Sequence, residues 1–198
     1  MKFNKFILSL IAIVAVANLA FTPANVGNVQ GTKNVNTTKS TIAWKGYKVT
    51  GEHNGNVSLK SGALDFDNGV LTGGTFVIDM TSITCNDLEG EWKDKLVGHL
   101  KSDDFFGVAT HPTAKFVITK AIPYGTEGAY KVVGNLTIKD ITKEIKFNAN
   151  VNGQNAEAKI IVDRSNYNVK YGSGSFFDNL GDKTIYDEFD LTINLVTE

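Results

Sequence analysis

The sequence predicts an all-β domain of eight antiparallel strands, with one short helix inserted between the third and fourth strands. Apolar and polar residues alternate along most of residues 40–196, which is typical of strands with one buried face. Residues 130–151 contain two such strands joined by a short polar connection, and therefore predict a hairpin with one apolar face. An isolated hairpin is marginally stable, so the rest of the chain has to cover that face.

Length, charge and cysteine content restrict the class of protein. The chain has 198 residues, 42% hydrophobic and 21% charged, which suits one soluble domain with a buried core. Its formal net charge of -1 lacks the basic surplus that nucleic-acid binding requires. Cys85 is the single cysteine, which excludes an intrachain disulfide and a multi-cysteine metal cluster.

The N-terminal residues have the pattern of an export signal. Lys2 and Lys5 precede a short apolar run, and Ala15 and Ala17 offer a cleavage site. We expect a signal peptide over residues 1–24, cleaved between about residues 17 and 24, then a flexible leader over residues 25–39 and a domain over residues 40–198. Since the apolar run is short for a membrane span, we expect a periplasmic or secreted protein.

The strands are predicted in a regular succession. Outside the hairpin, alternation indicates strands over residues 40–49, 53–66, 70–83, a segment after Pro112, 156–162 and 184–196. Asn68-Gly69 predicts a tight turn between the second and third strands, because both residues tolerate positive φ.

One helix interrupts this succession. Residues 90–101 place Trp92, Leu96, Val97 and Leu100 at helical spacing, with charged residues on the opposite face. These four side chains are therefore expected to pack against the strands.

Closure of the strands into a barrel would remove the exposed sheet edges. A barrel of about eight strands either fills with side chains or holds one small ligand. Small residues on the inferred inner faces favour a partly unfilled interior; they are Ala114, Gly134, Ala149, Ala156 and Ala158. A sandwich whose large residues fill these gaps is the alternative.

Four segments carry a family resemblance through their order and spacing. They read HLKSDDFF at residues 99–106, HPTAKF at 111–116, YKVVGNLTIKDITKEIKF at 130–147 and DRSNYNVKYG at 163–172. Over about residues 40–196 the chain resembles the YceI-like family of bacterial periplasmic proteins. The resemblance implies an elongated, lipocalin-like eight-stranded barrel whose tunnel binds a polyisoprenoid or a related amphiphile. It implies a binding protein and not an enzyme, so no catalytic residue is carried over.

Large inward-facing residues are the candidates for the tunnel lining. The expected lining residues are Trp44, Phe76, Ile78, Phe116, Leu136, Ile138, Phe147, Ile160 and Leu191. The expected partner is a long-chain isoprenoid or fatty amphiphile, with no nucleic acid and no stable membrane span, while a homodimer is left open. We expect no cofactor.

Arg164 and Tyr167 are candidates for a contact with a headgroup at the tunnel mouth. The planar guanidinium of Arg164 suits a phosphate or carboxylate. An internal ion pair of Arg164 with Asp163 or Asp187 is the alternative.

Phe105 and Phe106 are two further candidates for the mouth. Two adjacent aromatic residues in a loop cannot both point into one core without a bend. We expect one to plug the barrel wall and the other to contact ligand, with both in the core as the alternative.

The histidines do not have the spacing of a metal site. His53, His99 and His111 form neither an HExxH nor an HxH motif, so no metal is expected. His99, near the end of the predicted helix, is expected to support the following loop.

Two other functions are compatible with these patterns. One is an interaction or stress protein that uses the barrel as a packed scaffold and exposes an apolar patch. The other is a hydrolase acting on amphiphiles, which requires Ser102 or Ser165 beside a histidine.

Overall fold

The computed structural model describes residues 30–198, so the expected signal peptide and residues 25–29 of the expected leader lie outside the described residues. In that range the chain forms nine strands and one α-helix. The strands are β1 (Gln30–Asn34), β2 (Thr41–Lys48), β3 (Gly51–Asp67), β4 (Val70–Asp79), β5 (Thr113–Pro123), β6 (Ala129–Ile138), β7 (Ile141–Asn152), β8 (Asn155–Asp163) and β9 (Ile185–Val196). The helix α1 (Gly90–Lys101) lies between β4 and β5.

The sheet closes on itself as an eight-stranded antiparallel barrel. Its order is β1-β3-β2-β9-β8-β7-β6-β5-β4, and the pairing of β3 with β4 completes the ring. The first half of β3 pairs with β2, and its second half pairs with β1 on the same side. Because β1 and β2 share one position in the ring, the predicted fold of eight strands with one helix is confirmed.

The described part of the expected leader, residues 30–39, begins with a strand and not with a flexible linker. Residues 30–34 form β1, and the Val35 side chain is buried in the core. Asn- and Thr-rich composition suggested a linker, but β3 is long enough to offer backbone partners to this segment. Pairing with a neighbouring strand outweighs the low strand propensity of Asn and Gly.

The hairpin predicted over residues 130–151 is present as β6 and β7. Its turn consists of Lys139 and Asp140, both with positive φ, which suits the twist of a two-residue hairpin. Along β6, Tyr130, Val132, Leu136 and Ile138 are buried, as the alternation predicts. The hairpin therefore presents its apolar face to the barrel interior.

The connections at the two ends of the barrel differ in length. Since neighbouring strands are antiparallel, residues 49–50, 80–112, 139–140 and 164–184 all lie at one end, which we call the helix end. Hydrogen bonds join these connections there, including Val49 N to Thr184 O at 3.1 Å and Lys139 Nζ to Phe105 O at 3.0 Å. The opposite end has the short turns at 68–69, 124–128 and 153–154.

The helix has the predicted bounds but buries a narrower face than predicted. Leu100 is buried and Leu96 packs against the core, whereas the Trp92 side chain is 71% exposed. The ammonium of Lys95 lies 5.0 Å from the Trp92 ring centroid. Trp92 lies in the first turn of α1 and does not pack against the core, which Leu96 and Leu100 contact from the later turns.

The segment between β4 and α1 is held against β3 by a polar cluster around Asp87. Its carboxylate accepts hydrogen bonds from Asn54 N at 2.8 Å and Cys85 Sγ at 3.3 Å, and pairs with His53 Nδ1 at 2.7 Å. Partial burial alone would raise the pKa of Asp87, but these three contacts outweigh it and lower the pKa to about 2. This cluster therefore stabilises the charged form of Asp87.

Gly134 does not leave room in the interior, contrary to the sequence-based expectation. A Cβ at Gly134 would lie 2.5 Å from Phe116 Cε2 and 2.6 Å from Val117 O. The Phe116 ring thus covers the glycine, and it also lies 6.2 Å from the Phe76 ring and 5.5 Å from the Phe147 ring. Gly134 is a packing site for an aromatic residue on the neighbouring strand.

Substitution of this glycine should destabilise the barrel. We expect Gly134→Ala to lower the free energy of unfolding by about 1–3 kcal/mol, because the new methyl group displaces the Phe116 ring and meets a backbone oxygen. Gly46→Ala on β2 is the matched control, since a Cβ there meets no atom within 4 Å. Urea denaturation measures both, and equal stability of the two variants would contradict the packing described.

The Asp87 cluster should make stability depend on pH in the acid range. Because the folded pKa of about 2 lies below the ordinary value of 3.8, the stabilisation is present above about pH 4 and is lost as pH falls toward 2. We expect Asp87→Asn to cost about 1–2 kcal/mol at pH 7, with the difference from the unmodified protein vanishing near pH 2. Asp104→Asn, at an exposed carboxylate, is the control. A difference that stayed constant from pH 7 to pH 2 would be incompatible with this assignment.

Candidate functional site

An apolar cavity of about 340 Å³ lies inside the barrel. All nine predicted lining residues border it: Trp44, Phe76, Ile78, Phe116, Leu136, Ile138, Phe147, Ile160 and Leu191. Whether they contact a ligand stays a prediction. Further lining residues such as Ile42, Val57 and Leu195 could have been found from the same alternation of inward and outward positions.

The cavity exists because small residues occupy several inward positions. Ala149 on β7 and Ala158 on the neighbouring strand β8 are register partners, and both border the cavity. Ala114 and Ala156 border it from β5 and β8. Four methyl side chains on the inner wall leave space that larger side chains would fill.

The helix end of the cavity is covered by α1 and the loop that follows it. Leu96, His99 and Leu100 border the cavity from the helix, and Phe105 and Phe106 border it from the loop. The Phe105 side chain is buried, while Phe106 is half-buried. Both phenylalanine side chains therefore pack against the core and border the cavity, and a contact of either with ligand stays a prediction.

The two phenylalanine rings belong to a chain of aromatic contacts. Their centroids lie 5.0 Å apart in an edge-to-face arrangement, and Phe106 lies 6.5 Å from Phe189 on β9. The contacts connect the loop to the barrel wall at the helix end.

Arg164 borders the cavity, but its guanidinium is used within the protein. It is 2% exposed and donates hydrogen bonds to the carbonyls of Val169 at 2.8 Å, Ile185 at 3.0 Å and Tyr186 at 3.2 Å. Its Nη2 also lies 3.4 Å from Asp187 Oδ1. Burial lowers the pKa of Arg164, and the charge of Asp187 opposes this effect. The alternative of an internal ion pair with Asp187 is thus the one observed, and the headgroup role expected of Arg164 is not supported.

Tyr167 does not reach the cavity. This residue belongs to the β8–β9 connection, and its side chain is 1% exposed and packs in the core, outside the cavity lining. Burial, together with the charge of Asp163, raises the pKa of Tyr167 to about 12. The 3-10 turn Arg164–Tyr167 places this side chain in the core, so the expected role of Tyr167 at the mouth has no support from the cavity lining.

His99 is the cavity residue whose position sequence reasoning missed. Its carbonyl accepts hydrogen bonds from Ser102 N at 3.1 Å and Ser102 Oγ at 2.7 Å, so the backbone supports the loop as expected. The imidazole, however, borders the cavity and lies 4.3 Å from the Tyr171 ring and 5.6 Å from the Phe105 ring. Its helical spacing from Leu96 was the available signal.

The two serines considered as nucleophiles bond to oxygen acceptors. Ser102 Oγ donates to the His99 carbonyl, and Ser165 Oγ donates to Asp163 Oδ1 at 2.6 Å. Neither bond joins a serine to an imidazole, as activation of the hydroxyl by a histidine requires. The hydrolase hypothesis thus has no support from these contacts.

Residues 30–198 contain no helix with the length and apolarity that a membrane crossing demands. The remaining histidines have carboxylate partners, since His53 pairs with Asp87 and His111 Nδ1 lies 3.0 Å from Asp140. Within the same residues, no three His, Cys, Asp or Glu side chains are grouped as metal ligands would be.

Curated relatives match part of the chain. A UPF0312 protein of Pectobacterium atrosepticum is 36% identical over 77 residues, covering 39% of this chain and 36% of the relative. A UPF0312 protein of Shewanella denitrificans is 30% identical over 93 residues, covering 47% of this chain and 46% of the relative. The chain thus aligns with less than half of the length of these relatives.

Solved structures show the same fold. Burkholderia cenocepacia BcnA matches with a TM-score of 0.65 and 24% identity, over 83% of this chain and 99% of that protein. A polyisoprenoid binding domain from Saccharophagus degradans, implicated in plant cell wall breakdown, matches with a TM-score of 0.62 and 15% identity, over 84% and 97%. The YCEI protein of Campylobacter jejuni matches with a TM-score of 0.54 and 20% identity, over 72% and 84%.

The family model described as a YceI-like domain matches residues 34–197. This range includes the whole barrel from β2 to β9 and confirms the resemblance seen in the sequence. The chain therefore belongs to the YceI-like family.

Proposed function

We propose that this protein is an exported carrier that encloses the apolar chain of an isoprenoid or a related amphiphile in its barrel. The observation that carries the proposal is the apolar cavity of about 340 Å³, which lies in the size range of small-molecule sites. The binding named for the Saccharophagus degradans domain, which has this fold, adds support. The predicted signal peptide supports a periplasmic location.

The physical basis of binding is the removal of hydrocarbon from water. Burial of each methylene group is worth about 0.8 kcal/mol, so a long chain gains affinity with few polar contacts. Because the lining is formed mainly by aliphatic and aromatic side chains from every strand of the ring, it can accept a chain without demanding hydrogen bonds along its length.

Binding accounts for the interior better than the two other functions do. A packed scaffold requires a filled core, whereas small residues such as Ala149 and Ala158 leave space in this one. Exposed aromatic side chains do occur at Trp92, Phe176 and Phe177, as a scaffold would also have. The hydroxyl groups of Ser102 and Ser165 bond to oxygen atoms and not to a histidine, so we propose a protein that binds its ligand unchanged.

Filling part of the cavity should weaken binding without unfolding the barrel. We expect Ala158→Phe to weaken binding of geranylgeraniol by about tenfold or more, because loss of room for two methylene groups costs about 1.6 kcal/mol. Displacement of a fluorescent naphthylamine dye measures the affinity, and circular dichroism checks the fold.

Ile161→Phe is the matched control for this substitution. Ile161 lies on the same strand, but its side chain points outward and is 64% exposed. Normal affinity is expected of this variant. If a folded Ala158→Phe variant bound geranylgeraniol as tightly as the control, or if the unmodified protein bound none, the proposed function would be wrong.

A further inference from the structure

His99 borders the mainly apolar cavity and carries a buried polar atom without a hydrogen bond. This atom is Nε2 of the imidazole ring. The ring makes edge-to-face contacts with the rings of Phe105 and Tyr171, and these contacts restrict its orientation. A buried polar atom without a partner disfavours the empty state of the protein, and a ligand atom at that position would remove the penalty.

Other buried polar atoms without a hydrogen bond are not placed in this way. Among residues 30–198 the others that make no hydrogen bond are Asp67 Oδ1, Tyr167 Oη and Asp187 Oδ1, the last of which has the ion pair with Arg164. None of these residues borders the cavity. Three polar residues that border it have partners elsewhere: His53 bonds to Asp87, Tyr47 to Asp190, and Arg164 to three backbone carbonyls. Lys48 and Glu157 also border it, but neither has a buried side-chain atom without a hydrogen bond. Among the described residues that border the cavity, His99 Nε2 is therefore the one buried side-chain atom without a hydrogen bond.

The surroundings of His99 favour an uncharged ligand group over an anion. His99 lies in the last turn of α1, where the helix carbonyls carry partial negative charge. Two nearby cations are occupied, because Arg164 bonds to carbonyls and Lys139 Nζ bonds to the carbonyls of Asp103 and Phe105. Lys48, which also borders the cavity, is the cation that an anionic ligand would use instead. A hydroxyl group both donates and accepts, so it can pair with Nε2 in either tautomer of the imidazole.

We propose that His99 Nε2 forms a hydrogen bond with the hydroxyl group of an amphiphilic alcohol bound in the cavity. The polar end of the ligand then lies at the helix end of the barrel, beneath α1 and the loop that carries Phe105. The apolar chain extends away from it between the inner faces of the strands. This inference rests on the proposed function and adds the class of headgroup and the residue that recognises it.

The test compares farnesol with farnesene, a hydrocarbon of matching carbon skeleton that lacks the hydroxyl group. Competition against a fluorescent naphthylamine dye gives both affinities for each protein. We expect the unmodified protein to prefer farnesol by about three- to tenfold after correction for partition into water, as one hydrogen bond allows. His99→Phe should lose this preference while keeping its affinity for farnesene.

Two further variants separate the role of His99 from a general effect of mutation. His99→Gln retains a side-chain donor and acceptor, so it should keep part of the preference for farnesol even if His99→Phe folds poorly. His111→Phe is the control, because His111 lies at the same end of the barrel outside the cavity and pairs with Asp140. It should keep the full preference. Since no hydrogen bond of the imidazole is lost, His99→Phe should not lower the melting temperature.

The outcomes distinguish this inference from the proposed function. Equal binding of farnesol and farnesene by the unmodified protein, or an unchanged preference in a folded His99→Phe variant, would overturn the role of His99 and leave the carrier function intact. Failure of both ligands to bind would overturn the proposed function itself. Farnesyl phosphate bound more tightly than farnesol, with a dependence on Lys48 at the cavity border instead of His99, would also refute the assignment.

Discussion

Closure of the barrel by β3 is the constraint on which the rest of the structure depends. This strand of 17 residues pairs with β4 along one side and with β2 and then β1 along the other. Without the β3–β4 pairing the sheet would have two open edges and no enclosed interior. With it, one face of each strand is turned toward a common space, and the alternation of apolar and polar residues becomes an inner and an outer surface.

The size of that space is then set by individual side chains. Phe116 fills the position over Gly134 and packs between the rings of Phe76 and Phe147, which makes part of the interior dense. Ala149 and Ala158, which are paired on the neighbouring strands β7 and β8, leave another part open. At the helix end, Arg164 anchors the β8–β9 connection through backbone carbonyls, so this rim is built by hydrogen bonds while the wall below is apolar. A stable barrel and an unfilled cavity thus coexist because different residues serve each.

Much of this architecture could be predicted from local patterns. The alternation in β6 and β7, the Asn68-Gly69 turn and the bounds of α1 are encoded within short segments, and each is confirmed. Inward positions follow from the same alternation, which is why every predicted lining residue borders the cavity.

The features that could not be predicted depend on contacts between distant segments. Strand β1 exists because β3 offers it partners, and Gly134 is covered because Phe116 belongs to the neighbouring strand. Arg164 is a candidate headgroup ligand by its planar guanidinium, but the carbonyls to which it donates come mainly from β9. Likewise, the His99 imidazole contacts Tyr171, which lies 72 residues further along the chain. Helical spacing can place His99 on the same face as Leu96, but it cannot predict this contact with a distant residue.

Native mass spectrometry of the protein purified without detergent tests most directly whether the barrel encloses an amphiphile. The account predicts a species heavier than the polypeptide by the mass of one lipid, which is released on gentle activation and identified by extraction. A spectrum containing only the mass of the polypeptide, from protein that also fails to take up added prenyl alcohol, would contradict it.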